Sequence, residues 1–297
     1  MRALADFIMR GRMQATLVVV GSAAVPLLFW LSAAASCLVL LRRGPRDAMG
    51  ILAWAMLPAL GWWHFGEPRT LLVLLGALGL ALLLRAGHAW SRVVLLSIPV
   101  GLVYGVVLGT VLREPIAALA GELHKLMPQM LDGVYQQMSV EERTRLEALI
   151  APVLTGLMAA LLQLASLLCL ILGRYWQAAL YNPGGFGREF RALRLPAPLA
   201  LGLVAVMFLA PNLGLELALL TPLCSVPLAL AGVALLHGLA AGGRLARFWL
   251  VGLYVSMLLF TQLVYPLLVV LATIDSLMDF RGRRAGNDGA GPANGEG

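Results

Sequence analysis

VVLLSIPVGLVYGVVLGTVL (93–112) is twenty consecutive residues without a charge. At 1.5 Å rise per residue a helix of that length covers ~30 Å, the thickness of a bilayer's hydrocarbon core. The apolar residues run continuously instead of alternating, which excludes a strand of a membrane β-barrel. Gly101, Gly105 and Gly109 recur every four residues, a doubled GxxxG ridge. Such a ridge lets another backbone come close, which is how helices gain contact where lipid removes any hydrophobic drive between them. Packing inside its own bundle is the expected use, a second protein the alternative.

The rest of the chain repeats this pattern. Of 297 residues 60% are hydrophobic and 12% charged, too apolar a mixture for a water-facing surface. The reading is an all-α, polytopic transmembrane bundle of about eight to ten spans, some short or proline-broken. The net charge of +7 resembles a nucleic-acid signal, but its arginines sit in short loops between apolar runs, where the positive-inside rule puts them. No nucleic-acid partner is expected. The N-terminal MRALADFIMRGRMQ is basic and amphipathic without a following cleavage site, so it reads as retained and cytoplasmic.

Residues 13–41 set the first topological choice. One helix of that length would be ~43 Å long and would separate Arg10 and Arg12 from Arg42, Arg43 and Arg46. Two legs, 13–25 and 27–41, broken near Pro26, put all five on one side, and this hairpin is preferred. Spans follow at 47–66, 70–84 and 93–112. Residues 113–150 then form an external insert, where Arg113, Lys125, Arg143 and Arg145 face Glu114, Glu122, Asp132, Glu141, Glu142 and Glu147, a net −2. Ile116, Leu119, Leu123, Met127, Met130, Val134 and Met138 recur at helical spacing, predicting an amphipathic helix. Ser139 and Glu142 form a capping box that opens the next helix and runs into a span at 151–173. Later spans fall at 197–211, 215–240 and 248–274. A break at Tyr265-Pro266 in the last would return Arg281, Arg283 and Arg284 to the side of Arg244 and Arg247. Residues 281–297 have the composition of a disordered tail.

The polar stretch 173–196, GRYWQAALYNPGGFGREFRALRLP, reads as a cytoplasmic elbow. Arg174, Tyr175 and Trp176 would end a span at the interface. Asn182-Pro183-Gly184-Gly185 turns the chain. Beyond it Phe186, Phe190 and Leu193 share one helical face, while Arg188, Arg191 and Arg194 form the contact to anionic lipid or an acidic protein.

This stretch closely resembles a signature of the YybS-like family of bacterial inner-membrane proteins. LVLLRRGPRDAMG (38–50), GVALLHGLAAGG (232–243) and DSLMDFR (275–281) share the likeness. The family is distantly similar to S components of energy-coupling-factor transporters, which have six helices, both termini inside, and a small-solute site near the outer face. The resemblance implies a six-helix unit at 1–178 carrying the insert, the elbow at 179–196, and further membrane helices at 197–280 that depart from the S-component plan. It implies a multi-pass protein of the bacterial inner membrane.

Catalytic and metal motifs are missing: NPGGFG lacks the GK[ST] of a phosphate loop, and no HExxH, GxSxG or paired-cysteine spacing occurs. No enzyme activity, cofactor or metal is expected, and Cys37, Cys169 and Cys224 read as small core residues. Polar residues at helix ends remain. Trp62, Trp63, His64, Glu67, Arg69, Arg113, Glu114 and Glu216 would all fall at the outer face and line a solute pocket, the tryptophans forming its apolar wall. Alternatively these charges are solvated and pair with one another. Gln163 and Gln262 lie nearer mid-membrane and would tie helices together by hydrogen bonds. Two functions follow: a solute-binding or transport-related component, or a scaffold recruiting partners through elbow and insert. Partners left open are membrane lipids, a second protein in the membrane or cytoplasm, and a second copy of the chain.

Overall fold

The computed structural model describes residues 2–243, 245–246, 248–278 and 280. The readings placed on Arg244, Arg247, Arg281, Arg283, Arg284 and the tail 281–297 lie outside the described residues. Every regular element among the described residues is helical, so the chain is an all-α bundle. Among the described residues, five helical stretches are long and apolar enough to cross a membrane: Pro26–Arg43, Trp90–Val111, Val140–Tyr181, Leu215–Ala241 and Thr261–Met278. The protein is a membrane protein.

The expected spans include short ones, and among the described residues Ala197–Leu213 and Phe248–Leu259 are apolar helices of that kind. The remaining apolar helices are short: α2 (Arg12–Ala23) has 12 residues, ~18 Å. Helix α4 (Pro45–His64) is long enough but opens with Arg46 and Asp47.

Contacts divide the chain into two units, Met1–Gly187 with Val204–Pro227, and Arg188–Leu203 with Leu228–Gly297. The first includes Val204–Pro227 besides its N-terminal part. It begins with α1 (Arg2–Arg10), whose buried face is Ala5 and Ile8. Helix α2 then turns at Val25–Pro26 into α3 (Phe29–Arg43), where proline's missing N–H and fixed φ suit the break. Ser32 Oγ donates to the Val19 carbonyl across this hairpin at 2.8 Å. Arg12 pairs with Asp47 at 3.1 Å, and Arg43 Nη2 donates to the Met9 carbonyl at 3.1 Å. From the end of α5 (Arg69–Arg85), Arg85 Nη1 donates to the Leu41 carbonyl at 2.6 Å. A guanidinium at the C-terminus of α3 meets both orphan carbonyls and the negative end of the helix dipole. These contacts gather the basic residues at one end of the unit.

Helix α3 sits innermost, ten of its fifteen residues buried. It is crossed by α8 (Val140–Tyr181), 42 residues and ~63 Å long. Gly156, Ala159, Gln163, Ser166, Leu170 and Gly173 on α8 are buried at alternating three- and four-residue spacing, one continuous inner face. At Gly173 the α3 backbone comes so close that an added Cβ would stand 2.9 Å from the Ala34 carbonyl oxygen. Trp176 shares this face and is fully buried, contrary to its expected place at the interface. The α3 crossing draws that turn of α8 inward, and only Tyr175 remains exposed. Leu17, Trp54, Leu57 and Phe208 point outward on the same bundle, apolar side chains suited to face lipid.

Helix α6 (Trp90–Val111) leads into α7 (Arg113–Gln137), which forms a hairpin with the start of α8. Because α8 is about twice the membrane thickness, its first turns extend outside the hydrocarbon. Tyr135 Oη donates to Glu147 at 2.6 Å across the hairpin. Ser139 caps α8: its Oγ accepts from the Glu142 N–H at 3.2 Å, and the Glu142 carboxylate accepts from the Ser139 N–H at 2.7 Å. The backbone N–H of Ser139 holds the Glu142 carboxyl below its usual range. A depressed carboxylate stabilises at pH above its unfolded value and loses that contribution as pH falls through its folded one. Amide exchange in the first turn of α8, normalised to its intrinsic rate at each pH, is accordingly expected to quicken as pH falls through the carboxylate range. Ser139→Ala should quicken it about fivefold at neutral pH and flatten the acid response. Exchange mass spectrometry of the hairpin peptide checks both, and an unchanged acid response in the variant would exclude the box as its cause.

The second unit contains the end of α9 (Gly185–Arg191), the start of α10 (Ala197–Leu213), the end of α11 (Leu220–Ala241), α12 (Phe248–Leu259) and α13 (Thr261–Met278). The last apolar stretch breaks at Phe260, not at Tyr265-Pro266. A proline ring crowds the carbonyl four residues before it, here Gln262, and the chain gives way on that upstream side. Gln262 itself is exposed and makes no hydrogen bond among the described residues, so it does not tie helices together. Gly232 lies against the backbone of Leu268, where an added Cβ would come within 2.9 Å of the carbonyl carbon.

Candidate functional site

The Gly101–Gly105–Gly109 ridge organises the half of the first unit away from its basic end. A Cβ at Gly101 would meet Leu223 Cδ2 at 2.6 Å and Gln163 Oε1 at 2.9 Å. At Gly105 the neighbours are Leu219 and Ala159, and at Gly109 only Thr155 at 3.9 Å. The ridge thus faces α8 on one side and the 3-10 turn Leu215–Leu219 with the start of α11 on the other. Contact loosens outward along it, and beyond Gly105 the helices part into a cleft.

That cleft has a volume of about 420 Å³. Gly105, Val106 and Gly109 of α6, Ile116 and Ala117 of α7, Ala151, Pro152 and Thr155 of α8, and Leu219 make an apolar basin. Two charges stand in its wall, Arg113 at the first position of α7 and Glu216 on the 3-10 turn. Neither makes an ion pair or side-chain hydrogen bond among the described residues. Thr155 Oγ1 donates to the Ala151 carbonyl and is already engaged.

The other expected pocket residues are not gathered here. Glu67 and Arg69 border a second cleft of about 380 Å³, whose remaining wall is Gly66, Pro68, Leu108, Leu112, Met158, Leu161 and Leu162. They pair with each other at 2.7 Å, leaving that cleft without a free charge from either. Trp62 Nε1 donates to the Ala23 carbonyl at 3.2 Å, so it fastens α4 to the end of α2. His64 is exposed, with its ring edge-on to Phe65. Trp63 is half-buried, and Glu114 is exposed outside both clefts. Of the residues expected in one pocket, Arg113 and Glu216 border one described cleft and Glu67 and Arg69 another; among the described residues, Arg113 and Glu216 are opposite charges on one cleft wall with no ion-pair partner.

Below the basin lies a buried polar cluster. Gln163 Nε2 donates to Ser97 Oγ at 2.8 Å, tying α8 to α6 as the sequence suggests. Its Oε1 is buried without a partner beside Gly101. Tyr104 Oη donates to the Leu72 carbonyl at 2.8 Å and lies 2.8 Å from Ser166 Oγ. Ser97, Tyr104 and Ser166 lie inside apolar runs, with no local pattern to mark them before their helices are placed.

The elbow's arginines do not act as one set. Arg188 is exposed, but Arg194 turns inward, its Nε and Nη2 donating to the Asp275 carbonyl at 3.2 and 2.9 Å and Nη2 also to Ser276 at 3.2 Å. It caps the end of α13, whose orphan carbonyls attract a cation. Phe186 packs edge-on against Trp90 and Tyr175 in the first unit. Phe190 packs against His237 in the second, and His237 Nε2 lies 3.2 Å from Tyr254 Oη. Among the described residues no three His, Cys, Asp or Glu come together to hold a metal. Compared with family models, curated proteins and solved structures, the chain matches none.

Proposed function

We propose that the chain is a small-solute-binding, transport-related component of the bacterial inner membrane, with its binding site in the cleft walled by Arg113 and Glu216. The observation that carries this is the pair of unpaired, opposite charges over an apolar, glycine-floored basin of about 420 Å³. Small-ligand sites combine these parts: apolar area for affinity and a few polar groups for orientation. The basic end of the first unit, where Arg12, Arg43 and Arg85 make their contacts, supports a cytoplasmic N-terminus by the positive-inside rule. The cleft then opens toward the other face.

Ala117 is exposed on the cleft wall, so Ala117→Trp fills the basin without disturbing a buried contact. Purified protein is expected to carry a small molecule, detected by mass spectrometry of the denatured extract. The variant should elute normally and lose it. A wild-type protein that is reproducibly empty, yet held with a stoichiometric protein, would instead support the scaffold reading. One observation favours that second reading: Leu119, Leu126, Met130 and Val134 are exposed along α7, on the part of the hairpin projecting from the membrane. An apolar stripe in water is a feature of interaction surfaces.

A further inference from the structure

We infer that the ligand of the Arg113–Glu216 cleft is a zwitterion with an apolar arm, its anionic group on Arg113 and its ammonium on Glu216. This rests on the proposal that the cleft binds a small molecule, and it assigns the chemical class. The two charges line one basin yet make no ion pair with each other. The backbone fixes where each side chain is rooted: Arg113 begins α7, and Glu216 sits on the 3-10 turn held against Gly156 of α8. Together they put one charge of each sign on the cleft wall, both on exposed side chains.

A ligand entering such a basin excludes water from both groups. A singly charged anion would neutralise Arg113 but set its charge against Glu216, and a cation would meet the reverse penalty. A neutral apolar ligand would desolvate both charges and repay neither. Only a ligand carrying both signs forms a charge-assisted hydrogen bond at each end. Val106, Ile116, Pro152 and Leu219 supply no donor or acceptor side chain, so the body between or beside the charged groups is apolar. This chemistry has two sources at a membrane: a free amino-acid-like solute, or the headgroup of phosphatidylethanolamine with its chain along the groove.

The test uses the full chain in nanodiscs of phosphatidylglycerol, which contain no zwitterionic lipid. Binding is read by thermal shift for a panel of apolar L-amino acids and for lyso-phosphatidylethanolamine, each beside its own N-acetylated form. The expected result is that a zwitterion binds and its acetylated form binds at least about tenfold more weakly. In Glu216→Gln that preference should disappear, while Arg113→Gln should weaken both forms. Binding by the amino acids identifies a free solute, and binding by the lysolipid alone identifies the headgroup. Equal binding of the acetylated forms, no binding by any zwitterion, or binding unchanged in both variants overturns the inference. Extract analysis separates the two levels: a co-purified molecule that is not zwitterionic removes the class and keeps the solute reading. An empty extract with no binding removes both.

Discussion

Replacing Gly156 by alanine is expected to destabilise the protein by about 3 kcal/mol, the upper end of ordinary overpacking. The added methyl group would stand 2.6 Å from Leu219 Cα, 2.7 Å from the Leu219 carbonyl oxygen and 2.9 Å from Pro222 Cγ. Two of those atoms are backbone, so no side-chain rotation relieves the clash and the whole 3-10 turn must move off α8. Because lipid is as apolar as the helix surface, little hydrophobic drive pulls it back, and close van der Waals contact is what is lost. Gly109→Ala is the matched control. It lies one ridge position from the same contact, but its nearest neighbour is 3.9 Å away, so alanine fits and improves helix propensity by up to ~1 kcal/mol. Thermal unfolding in detergent should show Gly156→Ala well below wild type and Gly109→Ala at or above it. Equal midpoints for the two variants would show that the turn does not rest on α8. Since Glu216 and Leu219 belong to the displaced turn, Gly156→Ala should also empty the cleft, which extract analysis would detect.

This contrast marks what can be read from the chain alone. The apolar runs, the Pro26 hairpin, the insert helix and the Ser139–Glu142 cap are each written in contiguous residues, because length, proline and capping chemistry act locally. The glycine ridge at 101, 105 and 109 is visible for the same reason. Which glycine carries a close crossing is not, since that depends on the element arriving from elsewhere: Gly156 and Gly76 stand in no repeat. Nor can the faces of α10 and α11 be read from periodicity, for lipid and protein interior are both apolar and leave no polar side to mark the outside. The expected pocket residues are spread over two described clefts for a related reason. Helix-end charges can be assigned to one face of the membrane by counting spans, but their grouping around that face depends on helix order in the plane. Glu67 found Arg69, two residues away, while Arg113 and Glu216, a hundred residues apart, came to share a wall.

The buried polar cluster gives the second large effect, and a way to test the packing of α5, α6 and α8 at one point. Gly76 on α5 faces Tyr104, and an added Cβ would overlap its hydroxyl oxygen. Gly76→Ala must therefore push the ring aside, and the ring is held at both sides of its hydroxyl, by the Leu72 carbonyl and by Ser166. The expected cost is about 3 kcal/mol, overpacking together with hydrogen bonds broken where no water can replace them. Tyr104→Phe alone removes the hydroxyl and should cost about 1 kcal/mol. In the double variant the overlapping atom is gone, so its loss should fall short of the sum of the single losses by about 1 kcal/mol. Rescue remains partial because the ring's Cζ would still stand 2.8 Å from the new methyl group. Unfolding midpoints of the four proteins close the cycle. Strict additivity would mean that Gly76 and Tyr104 do not meet, and that α5 and α6 cross elsewhere. Coupling of the expected sign would fix the crossing beside Ser166, one helical turn from Gln163, and with it the floor on which the Arg113–Glu216 cleft is built.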